Sequence, residues 1–139
     1  GLQPFAEPST RAGRKFARVK PGASIVDVVP IVGTETVLAV SADARAMVCP
    51  ADEINYLSGA GKGVLLLKLA ASDKLLGFKP STGDRDLLNV VTNRGAKKTV
   101  STAKYRTTSR GGRGIELQKN GKIAEIVRDP IEPPPVFED

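Results

Sequence analysis

The sequence predicts an all-β protein assembled from repeated four-stranded antiparallel units, and three observations carry that prediction. The segment from Thr36 to Leu69 overlays the segment from Asp86 to Asn120 at an offset of 50 to 51 residues, so one supersecondary unit recurs. Short β-branched and aliphatic runs alternate with Gly, Asn, Asp and Pro, and no stretch shows the three-and-four periodicity of an amphipathic helix. Tryptophan is absent, and 2 tyrosines and 4 phenylalanines are the only aromatics, so Val, Leu, Ile and Ala must form the core.

The elements follow in order. Val37-Leu38-Ala39-Val40 leads through Ala42-Asp43-Ala44-Arg45 to Ala46-Met47-Val48, and Leu87-Leu88-Asn89-Val90-Val91 leads through Thr92-Asn93-Arg94-Gly95 to Ala96 and Val100. Both read as hairpins: apolar runs flank a turn-forming tetrad. Ser58-Gly59-Ala60-Gly61-Lys62-Gly63 before Val64-Leu65-Leu66-Leu67 then matches Ser109-Arg110-Gly111-Gly112-Arg113-Gly114 before Ile115-Glu116-Leu117, with Gly63 and Gly114 fixing the register. Each unit closes on an apolar run before a proline: Ser24–Val29 before Pro30, Lys74–Lys79 before Pro80, and Ile123–Val127 before Pro130, the three prolines 50 apart. Asn120-Gly121 is the strongest two-residue hairpin signal, because both residues tolerate the positive φ of a type I′ turn. It predicts that the third and fourth strands of the second unit pair with each other.

Four strands in about 50 residues is the size of one propeller-type blade, which buries its faces only against neighbours. The expected organisation is an N-terminal extension over 1–13 and β repeats over 14–129, comprising a partial unit 14–30 and full units at about 31–80 and 81–130, followed by an acidic proline-rich tail over 130–139. The tail is expected to be extended or disordered. Two full units and part of a third are too few to close a ring, so an open arc or a piece of a longer array is expected. No apolar run reaches the roughly 18 to 20 residues of a membrane span, and a signal-like leader is absent; a soluble, intracellular protein is the expectation.

Histidine is absent and Cys49 is the only cysteine among the 139 residues, which excludes His-dependent triads, zinc fingers and intramolecular disulfides. Gly61-Lys62 does not make a nucleotide-binding loop: Tyr56 stands where the first glycine is needed and Gly63 where Ser or Thr is needed. Asp52 and Glu53, adjacent on a strand, would point to opposite faces and make no acid–base pair. Tyr56 and Tyr105 occupy nearly equivalent places and read as repeated packing residues; Cys49 reads as a small buried hydrophobe. No cofactor and no small-molecule substrate are therefore expected.

Charge points to a polyanion. The net charge is +6, and residues 94 to 122 hold Arg94, Lys97, Lys98, Lys104, Arg106, Arg110, Arg113, Lys119 and Lys122 against Glu116 alone. A second basic cluster, Arg11, Arg14, Lys15, Arg18 and Lys20, holds no acid. In the loop Ser109–Gly114, Gly111, Gly112 and Gly114 free the backbone to approach a phosphate chain while Arg110 and Arg113 supply forked donors; Lys62 repeats a cation there in the first unit. An RNA-binding module and a basic protein-interaction module fit the same charges.

These residues resemble the C-terminal β-pinwheel domain of the A subunit of bacterial type IIA topoisomerases, DNA gyrase and topoisomerase IV. The resemblance rests on Asp86–Gly95, the basic strand after it, Ser109–Leu117, and the similar Lys62-Gly63-Val64, and covers the chain from about Arg14 to Val127. Arg110, Gly111, Gly112, Arg113 and Gly114 fit the last five places of the family's seven-residue wrapping box, where Thr108 and Ser109 replace a Gln and a basic residue. The resemblance implies blades whose basic rim bends duplex DNA for a cleavage core elsewhere in the A subunit, this chain itself being non-catalytic. It also implies that subunit's remainder and an ATPase subunit as partners, and a cytoplasmic, nucleoid-associated location. The rim would comprise Lys62, Arg94, Lys97, Lys98, Lys104, Arg106, Arg110–Gly114, Lys119 and Lys122.

Overall fold

The computed structural model describes residues 1–10, 12–83 and 87–128; the tail from 130 to 139 and Asp86 lie outside them. The two sequence repeats form two antiparallel sheets. In the first, strands β1 (Thr36–Ser41) and β2 (Arg45–Pro50) make a hairpin with Leu38 opposite Val48 and Val40 opposite Ala46, and β3 (Leu75–Ser81) lies along the other edge of β1. In the second, β4 (Leu88–Thr92) pairs with β5 (Lys97–Val100) on one side and, on the other, with a strand over Ile123–Val127.

Local chemistry repeats with the sequence. The Ser41 hydroxyl accepts the Arg45 N–H at 3.2 Å, and the Thr92 hydroxyl accepts the Ala96 N–H at 3.1 Å. The left-handed residue of the first turn is Ala44 (φ 59) and that of the second is Gly95 (φ 81). Register shifts follow Val40, where β1 pairs with β3, and Val91, where β4 pairs with the Ile123–Val127 strand, at the same place in each repeat. The first turn has an additional tie: the Asp73 carboxylate accepts the Ser41 hydroxyl at 2.6 Å and the Asp43 and Lys74 N–H groups at 2.9 and 2.8 Å.

The Asn120-Gly121 expectation is corrected. Strand β6 (Ile115–Glu116) pairs with β2, placing Glu116 opposite Arg45 and Ile115 opposite Ala46, while the following strand, β7 (Ile123–Val127), pairs with β4. Asn120 takes a positive φ of 52 but Gly121 does not, so no type I′ turn forms. The turn carries the chain from one sheet to the next, with Leu117 donating its N–H to Ala44 and Ile123 donating to Ala42. The sheet orders are thus β3-β1-β2-β6 and β5-β4-β7. The first sheet takes its fourth strand from the unit after it, the second sheet has three strands among the described residues, and Val64–Leu67, the counterpart of β6, forms no strand.

The core is aliphatic and lies between the sheets. Leu38, Val40, Ala46 and Val48 face Leu88, Val90 and Val100, with Leu117 and Ile123 filling the seam. Gly77 allows the close approach: a Cβ there would stand 2.6 Å from Ile126 Cδ1. The opposite face of the first sheet packs Val37, Met47 and Cys49 on Ala51 and Leu67. Burial on both faces explains why β1 reads as a continuous apolar run rather than an alternation. Tyr105 packs on the core as read, but Tyr56 is 86% exposed, so the two tyrosines are not equivalent. Among the described residues no helix is long and apolar enough to cross a membrane.

Glu35 fastens the entry to β1. Its carboxylate accepts the N–H groups of Val32 at 2.8 Å and Gly33 at 2.7 Å, and its carbonyl accepts that of Ala51 at 2.9 Å. The Val32 hydrogen bond is the main influence holding its carboxyl below the usual value of 4.5, against an opposing effect of burial. A lowered folded-state value stabilises the fold above the unfolded value, and that contribution is lost as pH falls through the folded one. Thermal denaturation across pH should show Glu35→Gln less stable than the parent at pH 7, with the gap closing on acidification below about 4.5.

Candidate nucleic-acid interface

The segment from Arg106 to Glu116 runs along the outer edge of the first sheet. Thr108 donates its N–H to Val48 at 2.7 Å, Gly111 donates to Leu66 at 2.6 Å, and Lys68 donates to Gly112 at 2.8 Å, before β6 joins β2. The loop glycines serve this docking. Gly114 has φ +65 with Ala46 carbonyl oxygen against the place a Cβ would take, and Gly111 has φ +84. Beside them Arg106, Thr108, Ser109, Gly112 and Met47 line an open cleft of about 190 Å³.

The two loop arginines divide the work. Arg110 is half-buried and faces inward: its N–H binds Glu53 Oε2 at 2.8 Å, its Nε binds the Glu53 carbonyl at 2.9 Å, and Nη1 binds the Leu65 carbonyl at 3.2 Å. Arg113, three residues on, is exposed. Glu53, dismissed from the sequence as an acid–base residue, is thus the anchor of the loop; its 57-residue separation from Arg110 hides the pairing from any local pattern.

The other cations fall into separate places. Arg106 and Lys104 are exposed on the approach to the loop, with Lys104 Nζ 5.4 Å from the centroid of the Tyr105 ring. Lys97 and Lys98 occupy successive positions of β5, opposite Val91 and Val90, so their side chains leave opposite faces; Lys97 is exposed and Lys98 half-buried. Arg94, Lys119 and Lys122 are exposed at the turn end, where Asn93 donates its N–H to the Lys122 carbonyl at 2.9 Å. Lys122 Nζ is held by Asp43 Oδ1 at 2.6 Å, a hydrogen bond that raises the ammonium's pKa above 10.5.

Lys62 belongs elsewhere. Its loop lies against the N-terminal segment, with Ala17 and Gly61 in a parallel bridge and Arg18 donating its N–H to the Gly61 carbonyl at 2.8 Å. There Lys62 lines a broad groove with Arg14, Lys15, Arg18 and Lys20. The Arg18–Gly61 bond is the repeat equivalent of Lys68–Gly112, so each glycine-rich loop docks in the same way on the unit before it. The basic N-terminal cluster was visible as charge; its union with Lys62 required the fold.

The family model for the DNA gyrase C-terminal domain, beta-propeller, matches residues 35–82 and 87–127. The chain belongs to that family. Two solved structures share its fold at a TM-score of 0.67: the C-terminal domain of DNA topoisomerase IV, at 20% identity over 78% of this chain and 36% of that one, and the DNA gyrase A C-terminal domain, at 18% identity over 86% and 42%. The gyrase-family chain described here therefore spans less than half the length of either. Comparison with curated protein sequences gives no match.

Two substitutions separate docking from display. Arg110→Leu should lower unfolding stability by about 2 to 3 kcal/mol by removing charge-assisted bonds to two carbonyls, whereas Arg113→Ala should change it by less than about 0.5 kcal/mol. In the same urea titrations Gly114→Ala should cost about 3 kcal/mol or more, because the methyl meets the Ala46 carbonyl and φ is positive.

Proposed function

We propose that this chain is a non-catalytic module of a type IIA topoisomerase A subunit that binds and bends duplex DNA. The reading is carried by one observation: a docked, glycine-rich strip along the outermost edge of a sheet presents Arg106 and Arg113 to solvent. Lys104 precedes that strip, and Lys62 with the N-terminal cations supplies the corresponding charge one unit earlier. Units 31–80 and 81–130, with the partial unit 14–30, would place such cations at blade spacing. Exposed Arg94, Lys97 and Lys119 extend the field; Arg110 and the glycines act by positioning the strip, and Lys98 and Lys122 contribute less.

Distributed cations suit this task. Each neutralised phosphate releases counterions, giving salt-dependent and nearly sequence-independent affinity. Bending a duplex costs roughly 1 to 6 kcal/mol or more, which contacts spread along an arc can offset and a single pocket cannot. Strand cleavage and ATP hydrolysis would reside in the rest of the A subunit and in an ATPase subunit, in the bacterial cytoplasm.

Binding to a duplex of random sequence, followed across a salt series, tests the reading. Affinity should fall steeply with salt, and Arg106→Gln and Arg113→Gln should each lower the salt slope by about 1 without changing sequence preference. Unchanged slopes in both variants, or stronger binding to single-stranded RNA, would overturn it.

A further inference from the structure

The two sheets have the same plan but not the same outer chemistry. The face of the first sheet that buries the second carries Leu38, Val40, Ala46, Val48 and Gly77. At the offset fixed by the Ser41–Thr92 and Ala44–Gly95 turns, and by the pairing of Val40 with Gly77 and Val91 with Glu125, the corresponding face of the second sheet carries Asn89, Val91, Lys97, Thr99 and Glu125. Thr99 donates its hydroxyl to Asn89 Oδ1 at 2.8 Å within that face, and Lys97 and Glu125, both exposed, flank Val91. Another blade packed there would have to desolvate a lysine and a glutamate. It would also meet Glu125 where Gly77 admits Ile126.

The opposite end has the reverse character. Residues 24–30 are the repeat counterpart of β3, which pairs with a β1, and Val64-Leu65 are the counterpart of β6, which pairs with a β2. A groove of about 1110 Å³ lies between these two flanks and reaches Ile25, Val29, Tyr56, Leu57 and Leu65. Ile25, Val28, Leu57 and Leu65 are between 45% and 62% exposed, and neither flank is paired in a sheet among the described residues. By the strand order β3-β1-β2-β6, what fits between them is a two-stranded hairpin with the continuous aliphatic runs of Val37–Val40 and Ala46–Val48.

We propose that the blade array is one-ended: the second sheet terminates it with a polar outer face, and a further blade of this repeat docks only in the N-terminal groove. Terminal repeats with polar outer faces are what stacked arrays need to stay soluble. The proposal concerns blade packing and stands apart from the DNA reading.

Tandem duplication tests it at both ends. Residues 1–80 followed by 31–139 recreate the native Pro30–Ile31 junction type and place a second aliphatic hairpin ahead of the first sheet. This chain should unfold in one transition, at a midpoint no lower than the parent's and with the added unit protected from protease, while binding of a hydrophobic dye stays at the parent's level because residues 24–30 and 64–65 of the added copy present the same groove. Residues 1–130 followed by 81–139 should leave the parent midpoint unmoved and the added unit open to protease. Asn89→Leu, Lys97→Ala, Thr99→Val and Glu125→Gly in its first copy should restore protection. Equal stabilisation by both duplications, or by the C-terminal one alone, would overturn the proposal, as would an N-terminal duplication whose added unit stays unfolded.

Discussion

The structure depends on the edge of β2 being completed by the following unit. A strand at a sheet edge presents unpaired N–H and C=O groups, and here Ile115-Glu116 and the Leu117 N–H take up those of Ala44 to Ala46. The connection holds the second sheet's chain across the first before it returns to pair with β4, so the aliphatic seam between the sheets is tied by backbone bonds at its edge. Neither unit is a complete folding element alone. The glycine loop follows from the same constraint, since the approach of residue 114 to the Ala46 carbonyl leaves no room for a side chain.

This arrangement gives the basic loop its rigidity. A loop of three glycines free in solvent would lose much conformational entropy on meeting a ligand. Docked through Val48, Leu66 and Lys68 and anchored by Glu53, it has already met that cost within the fold. Arg113 is then presented from a fixed backbone, and the inward-facing Arg110 makes the fixation possible.

The repeat, the hairpins and the aliphatic core were legible because they rest on periodicity and on turn chemistry, both local. The Ser41 and Thr92 turns fall where the offset puts them, and Cys49 is buried. The partner of β6 was not legible: Asn120-Gly121 is a strong local hairpin signal, but Ile115 and Leu117 find an open edge and a seam in the other sheet. Of the site residues, the cationic stretch could be read, whereas the split between structural and displayed charge could not. Lys97 and Lys98 are neighbours in sequence and part company on a strand; Arg110 and Arg113 share a motif and face different ways.

Repetition links the mechanics to the electrostatics. Because the Arg18–Gly61 and Lys68–Gly112 bonds are equivalent, the contact that seats a loop on the preceding unit recurs once per unit, and the cation beside it, Lys62 or Arg113, recurs with it. The spacing of surface charge is then set by sheet packing rather than by side-chain flexibility. Under the proposed function, cations repeated in this way favour a long, uniformly charged ligand over a compact anion, because only the former can meet successive units at once.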